Sequence, residues 1–453
     1  MKDTYILKIK REELFSIFCI WAIFINQILI QVLNLNFFLY VIFILVVLDC
    51  LIKKDIRCED LLLFLMLPNK YLQLLGCILF AIKVCMKDNF ILKKSLLGKE
   101  SLLFFSVSLL AAVINHVIWG GSLFNTLFQL LFYMYIFFMF AFAVDKKYSF
   151  SHTVLFQLFL VEVIMGLLQI VITGKVGDAV TGTLVSAHWY GVFLIAYGYW
   201  FIKGRKTRWK KNNILILLVV ASMVFLADAK HIYLCFGIAI IVQIIIKHLK
   251  IKRQLLFVAL GLTIGIFFLP LICEWLKNTI FSNNIYVKLY IENPNFNSKY
   301  LYIKKMIENM GIFNGLFGFG LGQFGSQICL TMAKGIIYPW QYGNTMFVIA
   351  AQPFREAITG LMSRWYVEEG IALSSMVLSY PLVSIVGLIA ENGIIGVILL
   401  FNAIEKIVDK YENSILLIMM LLLFVFDTYL EIPCVSVSLI IFWGMQTKNF
   451  EKV

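Results

Sequence analysis

Apolar runs of about 18 residues or more recur along nearly the whole chain, and nothing else constrains the fold as strongly. At 1.5 Å per residue, such a run crosses the ~30 Å hydrocarbon core of a bilayer as a single α-helix. Inside hydrocarbon every backbone N–H and C=O must be paired within the protein, which makes each of these segments helical. Composition agrees. The 453 residues are 61% hydrophobic and 14% charged, with a mean hydropathy of +0.90. A soluble domain sits near ~45–50% apolar and ~25% charged. The expected fold is an all-α polytopic membrane protein, with residues 1–453 as one membrane domain.

Basic residues set the direction of the crossings, because cytoplasmic loops carry the excess of lysine and arginine. Lys203, Arg205, Lys206, Arg208, Lys210 and Lys211 crowd one short interval. Lys53, Lys54 and Arg57, then Lys146 and Lys147, then Lys247, Lys250, Lys252 and Arg253 mark the same side. The net charge of +13 is therefore assigned to topology, and no nucleic-acid partner is expected. Tracing spans between these anchors gives about twelve transmembrane helices, with both termini cytoplasmic. Met1–Glu13 leads into the first span as a retained signal anchor. The exception is 61–86, an apolar stretch interrupted by Pro68, Asn69 and Lys70 with basic residues before and after it. It reads as a re-entrant or interfacial hairpin. The halves show no internal repeat, which argues against a transporter built from related repeats.

One long polar stretch, 272–382, separates two late spans and is expected to be a large extracytoplasmic loop. A loop of that length is usually functional. It carries Gly318, Gly320, Gly322 and Gly325, and two arginines, Arg355 and Arg364. Gly320, Gly322 and Gly325 satisfy G-x-G-x-x-G, but no βαβ unit surrounds them, so a dinucleotide reading fails. They suit close backbone approach, either to a ligand or to the membrane domain. The arginines offer guanidinium forks for diphosphate oxygens, or else line a solvated surface. Cys273 and Cys329 fall in the same stretch and are open to pairing, with two unpaired thiols the simpler reading.

The same face is expected to hold a short turn with Asp228, Lys230 and His231. Ionisable residues between two apolar spans are costly unless they meet a polar cavity or each other. Lys230 would be a point charge for an anionic group, with Asp228 as orienter or base. The plainer alternative is an interfacial turn with snorkelling side chains. His188, at a helix start after Gly174, suits acid–base work or a structural hydrogen bond. Glu162 and Asp427 are intramembrane acids, suited to a proton relay or to hydrogen bonding between helices. No H-E-x-x-H, Walker A, zinc spacing or serine-hydrolase elbow is present, so neither metal nor cofactor is expected.

Three stretches resemble the O-antigen polymerase and ligase superfamily of bacterial membrane proteins. Thr181-Gly182-Thr183-Leu184, followed by His188, resembles its threonine–glycine segment. The run from Leu316 to Ser326, after a basic helix at Lys299–Asn309, resembles its glycine-rich segment. Ala390-Glu391-Asn392-Gly393-Ile394-Ile395-Gly396 resembles its glutamate–glycine entry to the helix after the long loop. The resemblance implies a metal-independent glycosyltransferase of the bacterial cytoplasmic (inner) membrane. It would polymerise undecaprenyl-diphosphate-linked oligosaccharide repeat units into O-antigen or capsular polysaccharide at the outer face. Implied partners are that lipid-linked glycan, the bilayer, a flippase and a chain-length regulator.

On this resemblance, His188, Asp228 and Glu391 are the catalytic candidates. Lys230, His231, Arg355, Arg364, Gly320 and Gly322 are the substrate-binding ones. Lys230 matches a family position where arginine is more usual, and Asp178-Ala179 stands where the other family arginine is often found. Ligases carry a histidine shortly before the family glutamate, and Leu382 stands there. This favours a polymerase over a ligase; a lipid-linked oligosaccharide flippase is the third reading, against which stand the missing repeat and basic candidates placed at the outer face.

Overall fold

The computed structural model describes residues 13–33, 37–53, 55–184, 186–203, 211–293, 297–333, 351–358, 361, 382–408 and 414–450. The described residues form helices and turns, with no strand among them. The chain opens with α1 (Leu14–Leu33) and α2 (Phe37–Ile52), a short pair α3 (Cys58–Leu65) and α4 (Lys70–Lys87), and the small α5 (Asn89–Ser95). Four long helices follow: α6 (Lys99–Trp119), α7 (Leu123–Val144), α8 (His152–Thr173) and α9 (Ala187–Lys203). Next come α10 (Lys211–Leu226), α11 (Lys230–His248) and α12 (Gln254–Lys277). The polar stretch contributes only short helices: α13 (Ile285–Val287), α14 (Ser298–Asn309), α15 (Ile312–Phe317), α16 (Gln327–Met332) and α17 (Gln352–Ile358). The chain closes with α18 (Ser384–Val408), α19 (Ile415–Leu423) and α20 (Pro433–Phe450).

Among the described residues, seven helices are long and apolar enough to cross a membrane: α1, α6, α7, α8, α11, α12 and α18. Their burial separates centre from rim. The apolar window of α18 is 78% buried, against 28% for α11 and α12. On α11 the exposed apolar residues Leu234, Ile238, Ile241 and Ile245 recur every three or four positions, as a lipid-facing stripe should. α18 packs against α6, α7 and α12, and α20 packs against α7 and α9.

Two helix ends differ from what the sequence suggests. The span expected over Ile415–Leu430 is helical only to Leu423, and an irregular turn runs from Phe424 to Ile432. That helix is about 14 Å long at 1.5 Å per residue, short of a bilayer. It stops because the backbone is captured from outside: Ser384 N–H donates to Asp427 O (3.1 Å), Ile385 N–H to Phe424 O (2.9 Å), and Leu430 N–H to Ser384 Oγ (2.9 Å). The stretch 61–86, expected as a re-entrant or interfacial hairpin, forms two packed helices, α3 and α4, on either side of Pro68. Asn69 caps α4 by accepting from Tyr71 N (2.9 Å) and Leu72 N (3.2 Å), and Leu61–Leu67 are all buried. Finally, α12 continues to Lys277, past the expected loop start at Ile272.

The bundle end opposite the starts of α9 and α11 is tied by side-chain hydrogen bonds. Glu405 Oε1 accepts from Leu255 N (3.0 Å) and Leu256 N (3.2 Å) in the first turn of α12, where a carboxylate also complements the helix dipole. Ser414 Oγ reaches Gln243 Oε1 (2.5 Å) and Gln254 Oε1 (2.6 Å), joining α11, α12 and α19. Glu405→Ala should lower stability by about 1–2 kcal/mol, the worth of a lost helix cap. The measurement is the thermal unfolding midpoint of the detergent-solubilised protein, with Glu405→Gln keeping part of the loss back.

Candidate functional site

Two buried carboxylates each hold a loop against the bundle. The first is Glu162 on α8. Its Oε2 accepts from Thr183 N (2.8 Å) and its Oε1 from the Thr183 hydroxyl. Two turns further along the same helix face, Gln169 Oε1 accepts from Thr181 N (2.8 Å) and Gly182 N (2.9 Å). The Gln169 amide donates back to Gly182 O at 2.8 Å. From α1, Gln27 donates to Thr183 O at 2.7 Å. The threonine–glycine segment is therefore held by α8 and by α1. Since α9 begins only four residues after Thr183, this fixes where His188 starts its helix.

The second is Glu391 on α18, 1% exposed. Gly322 N donates to its Oε2 (2.8 Å), and Phe324 N (3.0 Å) and Ser326 N (3.2 Å) donate to its Oε1. The backbone also pairs: Phe319 N–H with Ala390 O (2.7 Å) and Gly320 N–H with Glu391 O (3.2 Å). To receive this loop α18 breaks at Gly393, whose φ of +62° and extended ψ leave its neighbours helical. The loop is pinned on its other side to the α6–α7 turn. Asn115 donates to Gly318 O (3.0 Å), Thr126 to Leu321 O (2.9 Å), and Gln323 to Ser122 O (2.7 Å). Gly320 has no room for a side chain, because a Cβ there would lie 2.6 Å from Ala112 Cα on α6.

At one end of the bundle, ionisable side chains from five places meet. The imidazoles of His188 (start of α9) and His231 (start of α11) pack edge to face, 4.5 Å between centroids. His231 Nε2 is 3.1 Å from the Tyr429 hydroxyl, and its ring also lies against Phe426. His188 Nδ1 is buried and meets no hydrogen-bond partner among the described residues. Lys299, at the start of α14, donates to Phe426 O at 2.7 Å. Burial pushes its amine down to about 8, with the Asp427 carboxylate opposing that shift. Asp427 itself accepts from Thr428 N at 2.6 Å. Beside them Asp228, held at a φ of +54°, pairs with Lys230 at 2.7 Å, and both are exposed.

The structure thus brings His188, Asp228, Lys230 and His231 into one cluster. It places Glu391, Gly320 and Gly322 in another. The two are joined through the first half of α18, since Ser384 binds the Asp427–Leu430 turn about 10 Å along the helix from Glu391. The oxygens of Glu391 are engaged by loop amides, and Gly320 approaches α6 closely. Arg355 is exposed on α17, which packs against α14. Arg364 lies outside the described residues, as do Tyr338, Trp340, Tyr342, Trp365 and Tyr366. Cys273 and Cys329 are free thiols. Lys299 and Tyr429 were not singled out from sequence. The available signals were weak: a lysine in the basic helix before the glycines, and a tyrosine two residues after an isolated acid.

Fold and site together define a polytopic helical membrane protein in which two buried acids hold loops and half-buried His188, His231, Lys299 and Asp427 gather at one end. No protein-family model, no curated protein and no solved structure matches the chain. Replacing Glu391 with alanine would leave the Gly322, Phe324 and Ser326 amides buried without an acceptor. The expected loss is about 3–5 kcal/mol, on the scale of breaking a buried charged network. Glu391→Gln should cost clearly less, because one amide oxygen still accepts. Comparing the unfolding midpoints of the two variants checks this, and equal midpoints would contradict the arrangement.

Proposed function

We propose that this protein is a metal-independent glycosyltransferase that polymerises undecaprenyl-diphosphate-linked oligosaccharide repeat units at the outer face of a bacterial cytoplasmic membrane. The observation that carries this reading is the meeting of His188, His231, Lys299, Asp427 and the Asp228–Lys230 pair at one bundle end. These are acid–base groups and cations at helix ends, where a lipid-anchored anion would present its headgroup. The reading also places about twelve crossings in the bilayer, with 272–382 as an extracytoplasmic loop beside the site.

In the reaction, an acceptor sugar hydroxyl attacks the anomeric carbon of the lipid-linked glycan. A histidine takes the hydroxyl proton as the new C–O bond forms. The bond from the anomeric carbon to the diphosphate breaks, and the departing negative charge falls on the cations. His188 suits the base role, because its Nδ1 has no partner among the described residues, whereas His231 is engaged by Tyr429. An open apolar recess of about 600 Å³, lined by Ala221, Ser222, Phe225, Leu226 and Tyr233, lies between α10 and α11 next to the Asp228 turn. It offers a place for the first isoprene units. A transport reading is less well supported, since Glu162 and Glu391 spend their oxygens on loop backbone and hydroxyl groups.

Deleting the gene and complementing with variants tests the reading. Wild type should restore long surface polysaccharide. His188→Ala should leave single repeat units on the surface, with rate lowered about 10²–10⁴-fold for loss of a general base. Long chains of normal length from a well-expressed His188→Ala variant would contradict the assignment of the base. Repeat units stranded on the cytoplasmic leaflet of the deletion strain would instead indicate transport.

A further inference from the structure

We propose that the Tyr429 hydroxyl holds the ring proton of His231 on Nδ1, and that this N–H is the neutral donor offered to the departing diphosphate oxygen. This rests on the glycosyltransferase reading and gives the two histidines of the site different parts in it.

His231 Nε2 lies 3.1 Å from the Tyr429 hydroxyl, so one of the two atoms donates to the other. Burial decides which. Tyr429 is 0% exposed, and its hydroxyl meets no other hydrogen-bond partner among the described residues. If Nε2–H donated to the phenol oxygen, the phenol's own proton would be buried without an acceptor, which costs the desolvation of that group. If the phenol donates to the Nε2 lone pair, one bond satisfies both atoms. A neutral imidazole carries a single ring proton, and that proton then sits on Nδ1.

The turn that carries Tyr429 is itself fixed. Ser384 N–H donates to Asp427 O and Leu430 N–H to Ser384 Oγ, while the Lys299 amine donates to Phe426 O. The Phe426 ring lies against the imidazole, 5.4 Å between centroids. Tyr429 is therefore a positioning residue: it sets the tautomer and the ring plane of His231 without touching substrate. With its lone pair taken, His231 cannot accept a proton from a sugar hydroxyl. That work falls to His188, 4.5 Å away, whose Nδ1 has no partner among the described residues. His231 Nδ1 makes no hydrogen bond among the described residues either. It sits in the first turn of α11 next to Lys230, where the helix dipole favours negative charge. As the bond from the anomeric carbon to the diphosphate breaks, the departing oxygen gains charge and accepts this hydrogen bond. No proton leaves His231. A neutral donor placed in advance acts mainly where charge develops, and so favours the transition state over the bound substrate.

The first test is the tautomer, read by nitrogen NMR of the full chain in nanodiscs with isotope-labelled histidine. A His231→Asn sample identifies the signals of His231 among the five histidines. Wild type should carry the His231 proton on Nδ1. Tyr429→Phe keeps the ring but not the hydroxyl, and should return proton to Nε2. The second test compares two variants, matched for membrane level, in the complemented deletion strain. In His231→Gln the amide oxygen can keep the bond from Tyr429, but the Nδ1 donor is gone. Polymerisation should slow about 10²–10³-fold, the effect of removing one such donor. In His231→Asn the amide N–H stands near the Nδ1 position, and more long polysaccharide should remain. A merely structural histidine would give the reverse order. A wild-type proton on Nε2, a tautomer unchanged in Tyr429→Phe, or His231→Gln matching or exceeding His231→Asn would overturn the assignment. The tautomer is read without substrate, so the wider reading fails separately, by absence of long surface polysaccharide from the strain complemented with wild type.

Discussion

A carboxylate inside a helical membrane bundle cannot be left to water, and in this protein the pairing of Glu391 organises much of what surrounds it. Its two oxygens take the amides of Gly322, Phe324 and Ser326. Leaving such buried amides without an acceptor would cost the full desolvation of each. The glycine-rich segment folds around this acceptor and at the same time meets α6 and α7. The cost is a break in α18 at Gly393. That break frees the first half of α18 to point its Ser384 end into the turn after α19, where Asp427 and Tyr429 sit. Glu162 does the same for the threonine–glycine segment and so for the start of α9. Two buried acids thus convert polar loops into fixed parts of the core.

The consequence for chemistry is a division of labour. The acids deep in the bundle hold backbone, while the groups suited to proton transfer and anion binding are carried on helix ends and on one turn. At that end Asp228 is paired with Lys230 at 2.7 Å, and the Lys299 amine is held at Phe426 O. Their placement follows from the two loops that Glu162, Gln169 and Glu391 hold against the bundle.

Much of the membrane architecture was legible from hydropathy, because a run of apolar residues has one good solution in a bilayer. The positions of α1, α6, α7, α8, α11, α12 and α18 follow that rule closely. What escaped was set by distant partners. The short α19 looks like a full span in sequence and is cut by hydrogen bonds from Ser384. The glycine segment and Glu391 were both visible as motifs, yet their mutual bond spans about seventy positions of chain, and periodicity carries no information about it. Likewise His188 and His231 drew notice as lone histidines at helix starts. Their contact with each other, and the placement of Lys299 and Tyr429 beside them, depend on packing of α9, α11, α14 and the turn before α20.

The central claim is that the Glu391 carboxylate, and not solvent or a ligand, closes the glycine loop. Amide hydrogen exchange over residues 318–326 in the detergent-solubilised protein measures this most directly. The account predicts that the amides of Gly322, Phe324 and Ser326 exchange as slowly as those of the α18 core. In Glu391→Gln, that protection should fall selectively in this segment, with the threonine–glycine segment held by Glu162 unchanged. Rapid exchange of all three amides in the wild-type protein would contradict it.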